Sequence, residues 1–150
     1  MSGVYLGKLT AKKLETLNEV MNLNLNDGAP ELLIADNKRL IATGKKLDDG
    51  KWHHIAVSMP KKDCLLSEVQ VYADGRLVET HVVGQDKPVS VSLANKLSIG
   101  GLGHGTGGRG NGKAPINRLG IKPFIGSLDG IPVWTRGLRA TEVSELARIR

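Results

Sequence analysis

Two adjacent histidines, His53 and His54, stand in the run Trp52-His53-His54-Ile55-Ala56-Val57-Ser58-Met59. Imidazole serves as a metal ligand and as an acid or base near neutral pH. On a strand, however, neighbouring side chains point to opposite faces, so this pair cannot chelate one ion together. His53, Ile55, Val57 and Met59 fall on one face, and Trp52, His54, Ala56 and Ser58 on the other. The structural reading is that one histidine packs inside and the other lies at the surface. Asp129 is a second ligand candidate. Calcium needs several oxygens at about 2.3–2.6 Å, and Asp27, Asp36 and Asn37 join Asp129 only through the fold. Its competing role is that of a turn carboxylate accepting backbone N–H groups.

Gly107-Gly108-Arg109-Gly110-Asn111-Gly112-Lys113-Ala114 nearly matches a phosphate-cradling loop. Ala114 stands where that loop needs a hydroxyl for magnesium, and no strand-loop-helix pattern surrounds it, so a surface loop is the better reading. Polysaccharide cleavage would need two carboxylates in one cleft. Glu68 and Glu79 flank a hairpin, but no Glu-x-Asp strand motif supports them. Cys64, the single cysteine, sits in a Lys-Lys-Asp-Cys segment with no base beside it in sequence, and reads as a bystander.

The elements that must position these residues are mostly short strands. Residues 4–9 read as a strand. Thr10 caps a helix with Leu14, Leu17, Val20 and Met21 on one face. Asn22–Gly28 alternates polar and apolar, then turns. Leu32–Ala35 and Arg39–Thr43 are strands joined by Asp36-Asn37-Lys38, and Leu47–Gly50 turns into the Trp52–Met59 strand, which Pro60 ends. Trp52 is expected to cover one end of the core, largely buried. Glu68–Ala73 and Arg76–Val83 flank Asp74-Gly75, a strong hairpin signal because a type I′ turn needs positive φ at both positions. Val89–Leu93, Lys96–Ile99, Phe124–Gly130 and Ile131–Thr135 are further strands. Ala140–Arg150 reads as a helix with Val143, Leu146 and Ala147 on one face. This pattern predicts an all-β, antiparallel sandwich with short N-terminal and C-terminal helices.

The bulk properties agree with one folded domain. At 150 residues with 40% hydrophobic content, the chain can bury a core without disulfides. A lone cysteine allows no intramolecular disulfide, so it leaves the compartment open. No apolar stretch approaches the roughly 20 residues of a membrane span. The formal charge of +6 favours anionic partners, although the Lys and Arg residues are scattered as on an ordinary solvated face. Nineteen glycines suit many tight turns or one long loop. That loop is residues 100–122.

Four segments in order resemble the laminin G-like, concanavalin A-like domains. They are Asp49-Gly50-Lys51-Trp52-His53-His54-Ile55-Ala56-Val57, the hairpin Val69–Val78, Leu97-Ser98-Ile99-Gly100, and Phe124–Ile131 with Trp134 and Gly137-Leu138. Together they span about 95 residues. Three departures stand out. The family's opening strand pair is not found in residues 1–30. Arg139 replaces the usual Ser or Thr three residues before Glu142, which leaves Thr141 as the expected cap. Gly130 follows Asp129 where the family often has a carboxylate, which weakens a metal site there. The opening Met1-Ser2-Gly3 reads as an added leader to a domain cut from a larger protein, and the resemblance implies a jelly-roll sandwich over residues 1–150 and an extracellular or periplasmic setting. It gives structural roles to Trp52, His54, Gly75, Gly100 and Gly126, the last two where backbones bend or approach.

The function expected from this is a noncatalytic carbohydrate-binding or adhesion module, with no nucleic acid partner and no membrane insertion. His104, Arg109, Lys113 and Arg118 in the glycine-rich loop are the expected ligand-binding residues, with calcium at Asp129 as a candidate cofactor. Only 3% of residues are aromatic, too few for a platform of rings stacking on sugars, so an anionic glycan is expected before a neutral one. The other domains of the parent protein are further partners. The alternatives are a ligand-free spacer or docking domain and, third, a polysaccharide-cleaving enzyme.

Overall fold

The computed structural model describes residues 22–34, 38–89 and 124–149. The expected strand at 4–9, the helix after Thr10, the strand at 96–99 and the loop at 100–122 lie outside them, as does all of 89–93 but its first residue.

A four-stranded antiparallel sheet is built from β1 (Asn22–Asn26), β2 (Ala29–Ile34), β3 (Lys38–Ala42) and β8 (Thr80–Val83), in the order β1-β2-β3-β8. Its register pairs Leu23 with Leu32, Leu32 with Leu40, and Leu40 with Val82. One apolar row therefore crosses all four strands, which is what alternating sequences produce when one face is buried. Asp27 and Gly28, with φ of 49° and 78°, make the tight turn between β1 and β2.

A second sheet has the order β4-β6-β7, from β4 (Ile55–Ser58), β6 (Gln70–Ala73) and β7 (Arg76–Leu77). Leu32 and Leu40 of the first sheet pack with Val71 of the second, with Val57 and Met59 against them. This is the interior of the sandwich. A short pair, β5 (Cys64–Leu65) with β9 (Pro88–Val89), and a 3₁₀ turn at Leu66–Glu68 add Cys64, Leu66 and Val89 to the same core. Cys64 is fully buried, and burial pushes its thiol up, which suits a core residue.

The far face of the second sheet is also covered. Ala56 and Tyr72, cross-strand neighbours, pack against Val143 of helix α1 (Ala140–Leu146), with Trp134 and Leu138 at the margin. Ser58 Oγ donates to the Leu138 carbonyl and accepts the Leu138 N–H, both at 2.9 Å. Gly137 lies so close to this strand that a side chain there would run into the Met59 carbonyl.

Several local expectations need correction. Regular pairing begins at Ile55 rather than Trp52, and the alternation does not extend back to the histidines. His53 and His54 are both buried, at 9% and 8% exposure, while Trp52 is 44% exposed. That end of the core is closed instead by Leu47, packed with Ile55 and Ala73. Residues 124–135 hold no strand: Asp129 is a lone bridge residue, and Gly126, Gly130 and Pro132 interrupt any ladder. Gly126 has φ 155°, and a Cβ there would meet the Phe124 ring at 2.8 Å. Helix α1 ends at Leu146, short of Arg150, and its cap is Arg139 rather than Thr141. Arginine has no acceptor to offer the helix, so Glu142 supplies one, taking the Arg139 N–H at 2.8 Å.

The expected single strand Arg76–Val83 is divided between the two sheets. Val78 donates its N–H to Val71 in the second sheet at 2.9 Å, and the next residue, Glu79, accepts the Thr43 N–H at 2.8 Å beside the first. Sandwich corners are commonly made by such strands.

Candidate functional site

The densest polar cluster gathers where the Asp-Gly hairpin meets the start of β4. Asp74 and Gly75 form the two-residue turn with φ of 51° and 75°. The Asp74 N–H donates to the His54 carbonyl at 2.7 Å, and its carboxylate accepts the His54 N–H at 3.1 Å. Lys45 Nζ is 3.0 Å from the same carboxylate. His53 sits between two acids: Nδ1 is 3.1 and 3.2 Å from the Asp74 oxygens, and Nε2 is 2.8 Å from Asp49 Oδ1. Both contacts are hydrogen bonds only when both ring nitrogens carry protons.

The electrostatics follow from these contacts. The His53 bond, then the Lys51 N–H at 3.0 Å, hold the Asp49 carboxyl at about 2. Partial burial works to raise Asp74, but the bonds from Lys45, His53 and the His54 N–H outweigh it, leaving Asp74 below the usual carboxylate range. Burial lowers His54, with the Asp74 charge opposing. The cluster ties the connection between β3 and β4 to the Asp74-Gly75 hairpin. With both imidazole nitrogens committed, it offers no open ligand position. Among the described residues no group of three His, Cys, Asp or Glu side chains is arranged to hold a metal ion.

A second feature is an open depression of about 490 Å³ between the 3₁₀ turn and the β6–β7 hairpin. Val69, Val71, Leu77 and Val78 contribute apolar lining, and Glu68 and Glu79 bring carboxylates to it. Glu68 binds Lys61 at 2.8 Å and accepts the Leu65 N–H at 2.7 Å, and the lysine chiefly lowers its pKa. A glycosidase acid needs the reverse shift, so Glu68 is placed as an ion-pair partner.

Asp129 is exposed, and its Oδ1 accepts the N–H of Gly130 at 2.7 Å. Asp27 is engaged by Lys46 at 2.8 Å, while Asp36 and Asn37 are outside the described residues. His104, Arg109, Lys113, Arg118 and Gly100 are also outside them. The roles of Asp49, Asp74 and Lys45 around His53 went unread in the sequence. The available signal was the pair of Asp-Gly turns bracketing the Trp-His-His segment.

Two antiparallel sheets face to face, with this hairpin and a helix closing the outer face, define a β-sandwich of the concanavalin A-like kind. The chain belongs to the laminin G domain family, whose model matches residues 4–133. Sex hormone-binding globulin of Oryctolagus cuniculus is 35% identical over 82 residues, covering 53% of this chain and 20% of that protein. The chain thus accounts for about a fifth of that relative's length. A crystal structure of an S-layer domain-containing protein (residues 221–444) from Clostridium thermocellum ATCC 27405 covers 96% of this chain and 70% of its own. At 20% identity and a TM-score of 0.46, that likeness is too weak to bear on function.

Proposed function

We propose that the chain is a noncatalytic binding or adhesion module of a larger extracellular protein, taking an anionic glycan through residues 100–122. Family membership supports the broader part, since laminin G domains commonly serve as adhesion or ligand-binding modules. The observation that carries the finer part is the composition of that segment: His104, Arg109, Lys113, Arg118 and Lys122 with no carboxylate among them. Cations interleaved with glycine, in a segment without its own carboxylates, would let backbone N–H groups and side chains approach a sulfate or carboxylate together. Exposed contacts of this sort are screened by salt.

The test is retention on a heparin-like column across a sodium chloride gradient, comparing the whole chain with a form lacking Gly105–Gly112. Retention of the whole chain and early elution of a folded, shortened form are expected. Equal retention of the two would remove the loop as the site. If the whole chain is not retained, the spacer or docking role stands instead. Runs with calcium and with a chelator show whether a cation at Asp129 takes part.

A further inference from the structure

The chain carries four Asp-Gly pairs: Asp27-Gly28, Asp49-Gly50, Asp74-Gly75 and Asp129-Gly130. Three have carboxylates bonded elsewhere. Asp27 is held by Lys46 at 2.8 Å. Asp49 accepts the Lys51 N–H and meets His53. Asp74 is bound by the His54 N–H, His53 and Lys45. Asp129 differs, because its Oδ1 lies 2.7 Å from the backbone nitrogen of its own successor, Gly130. Both residues are exposed and outside any strand ladder or helix, Asp129 forming only a lone bridge. Among the described residues, and apart from its chain neighbours, no atom lies within 4 Å of where a Cβ would stand at Gly130, whose φ is 55°.

We infer that Asp129-Gly130 is a site of spontaneous backbone isomerisation, with the chain's own peptide nitrogen as nucleophile. The Gly130 nitrogen attacks Cγ of the protonated Asp129 carboxyl, forming a new N–C bond. The carboxyl hydroxyl leaves with the nitrogen's proton as water, closing a five-membered succinimide. Water then adds at one of the two ring carbonyls. Opening at the side-chain carbonyl restores aspartate, and opening at the main-chain carbonyl leaves isoaspartate, with the backbone running through Cβ and Cγ. Mass and oxidation state are unchanged, and water is the sole co-reactant. Cγ is one C–O bond from Oδ1 and so at most about 4 Å from the nitrogen, near the roughly 3–3.5 Å of an attack-ready pair. The absence of a side chain on Gly130 removes the usual hindrance. At Asp74 the same closure would first have to break the bonds to His54, His53 and Lys45.

The folded protein is incubated for weeks in mildly acidic, heavy-oxygen water, beside the urea-unfolded chain. After digestion, isoaspartate and oxygen label are read at each of the four pairs by electron-transfer fragmentation. At Asp129 the folded chain is expected to react as fast as the unfolded chain or severalfold faster. At Asp49 and Asp74 folding should slow the reaction severalfold. Protection of Asp129 by folding to the same degree as Asp74 would overturn the inference, as would no isoaspartate at Asp129. Asp129→Glu lengthens the side chain and disfavours the ring, so label uptake in that peptide should vanish. Persistent uptake there would equally overturn it.

Discussion

His53 shows how a residue pattern and its physical use can part company. Strand alternation places neighbouring side chains on opposite faces, and only one face of a simple sandwich is buried. Here regular pairing starts only at Ile55, so alternation does not govern the two histidines before it, and both are buried. The cost of enclosing His53 is offset by two carboxylates, and one of them yields a pH prediction. Asp49 titrates at about 2 in the folded chain, against roughly 3.9 when unfolded. A depressed carboxyl stabilises the fold above its unfolded value, and that stabilisation is lost as pH falls towards its folded value. Thermal melts of the wild type and Asp49→Asn should therefore differ at pH 5 and converge between about pH 4 and pH 2. A gap that persists unchanged at pH 2 would show that Asp49 acts by something other than its charge.

Among the elements, the Asp74-Gly75 hairpin was the most legible in the sequence, because its demand for positive φ leaves a compositional mark. Its surroundings left none. A Cβ at Gly75 would lie 2.9 Å from the Ala147 Cβ and 3.2 Å from the Ser144 Cα, so the turn rests against the end of α1. Gly75→Val meets two penalties, a β-branched residue at φ 75° and a collision with the helix. It should destabilise the fold by more than about 1 kcal/mol in urea denaturation. A change within experimental scatter would mean that the turn and helix do not dock as described. The strands read into 124–135 failed for a different reason. Apolar residues there are real, but Gly126, Gly130 and Pro132 deny the backbone a continuous ladder, and Ile125 is left 95% exposed. Arg139 as a cap was unreadable because a residue preference cannot show that Glu142, held by Arg136 at 2.7 and 3.0 Å, takes over the acceptor's part.

For the whole molecule, the order of short antiparallel strands was legible because a period of two is visible wherever one face is wet. The exposure of Trp52 was not, since a bulky aromatic at a strand start reads as a core plug whether or not Leu47 already fills that place. Nor does alternation show where a strand changes partners. The passage of residues 76–83 from one sheet to the other has a dynamic consequence. Val78 and Glu79 are consecutive, and each is hydrogen-bonded to a different side of the sandwich, so no slack separates the two bonding sets. Prising the sheets apart must strip one of them, and with it either the edge of β6 or the edge of β3. The two halves are thus joined without slack at this crossing and should melt as one cooperative unit. In native-state hydrogen exchange, the amides of Leu40 and Val71 should open with the same free energy and the same dependence on denaturant. Leu40 exchanging through a distinctly cheaper opening would mean that the seam gives way before the cloth.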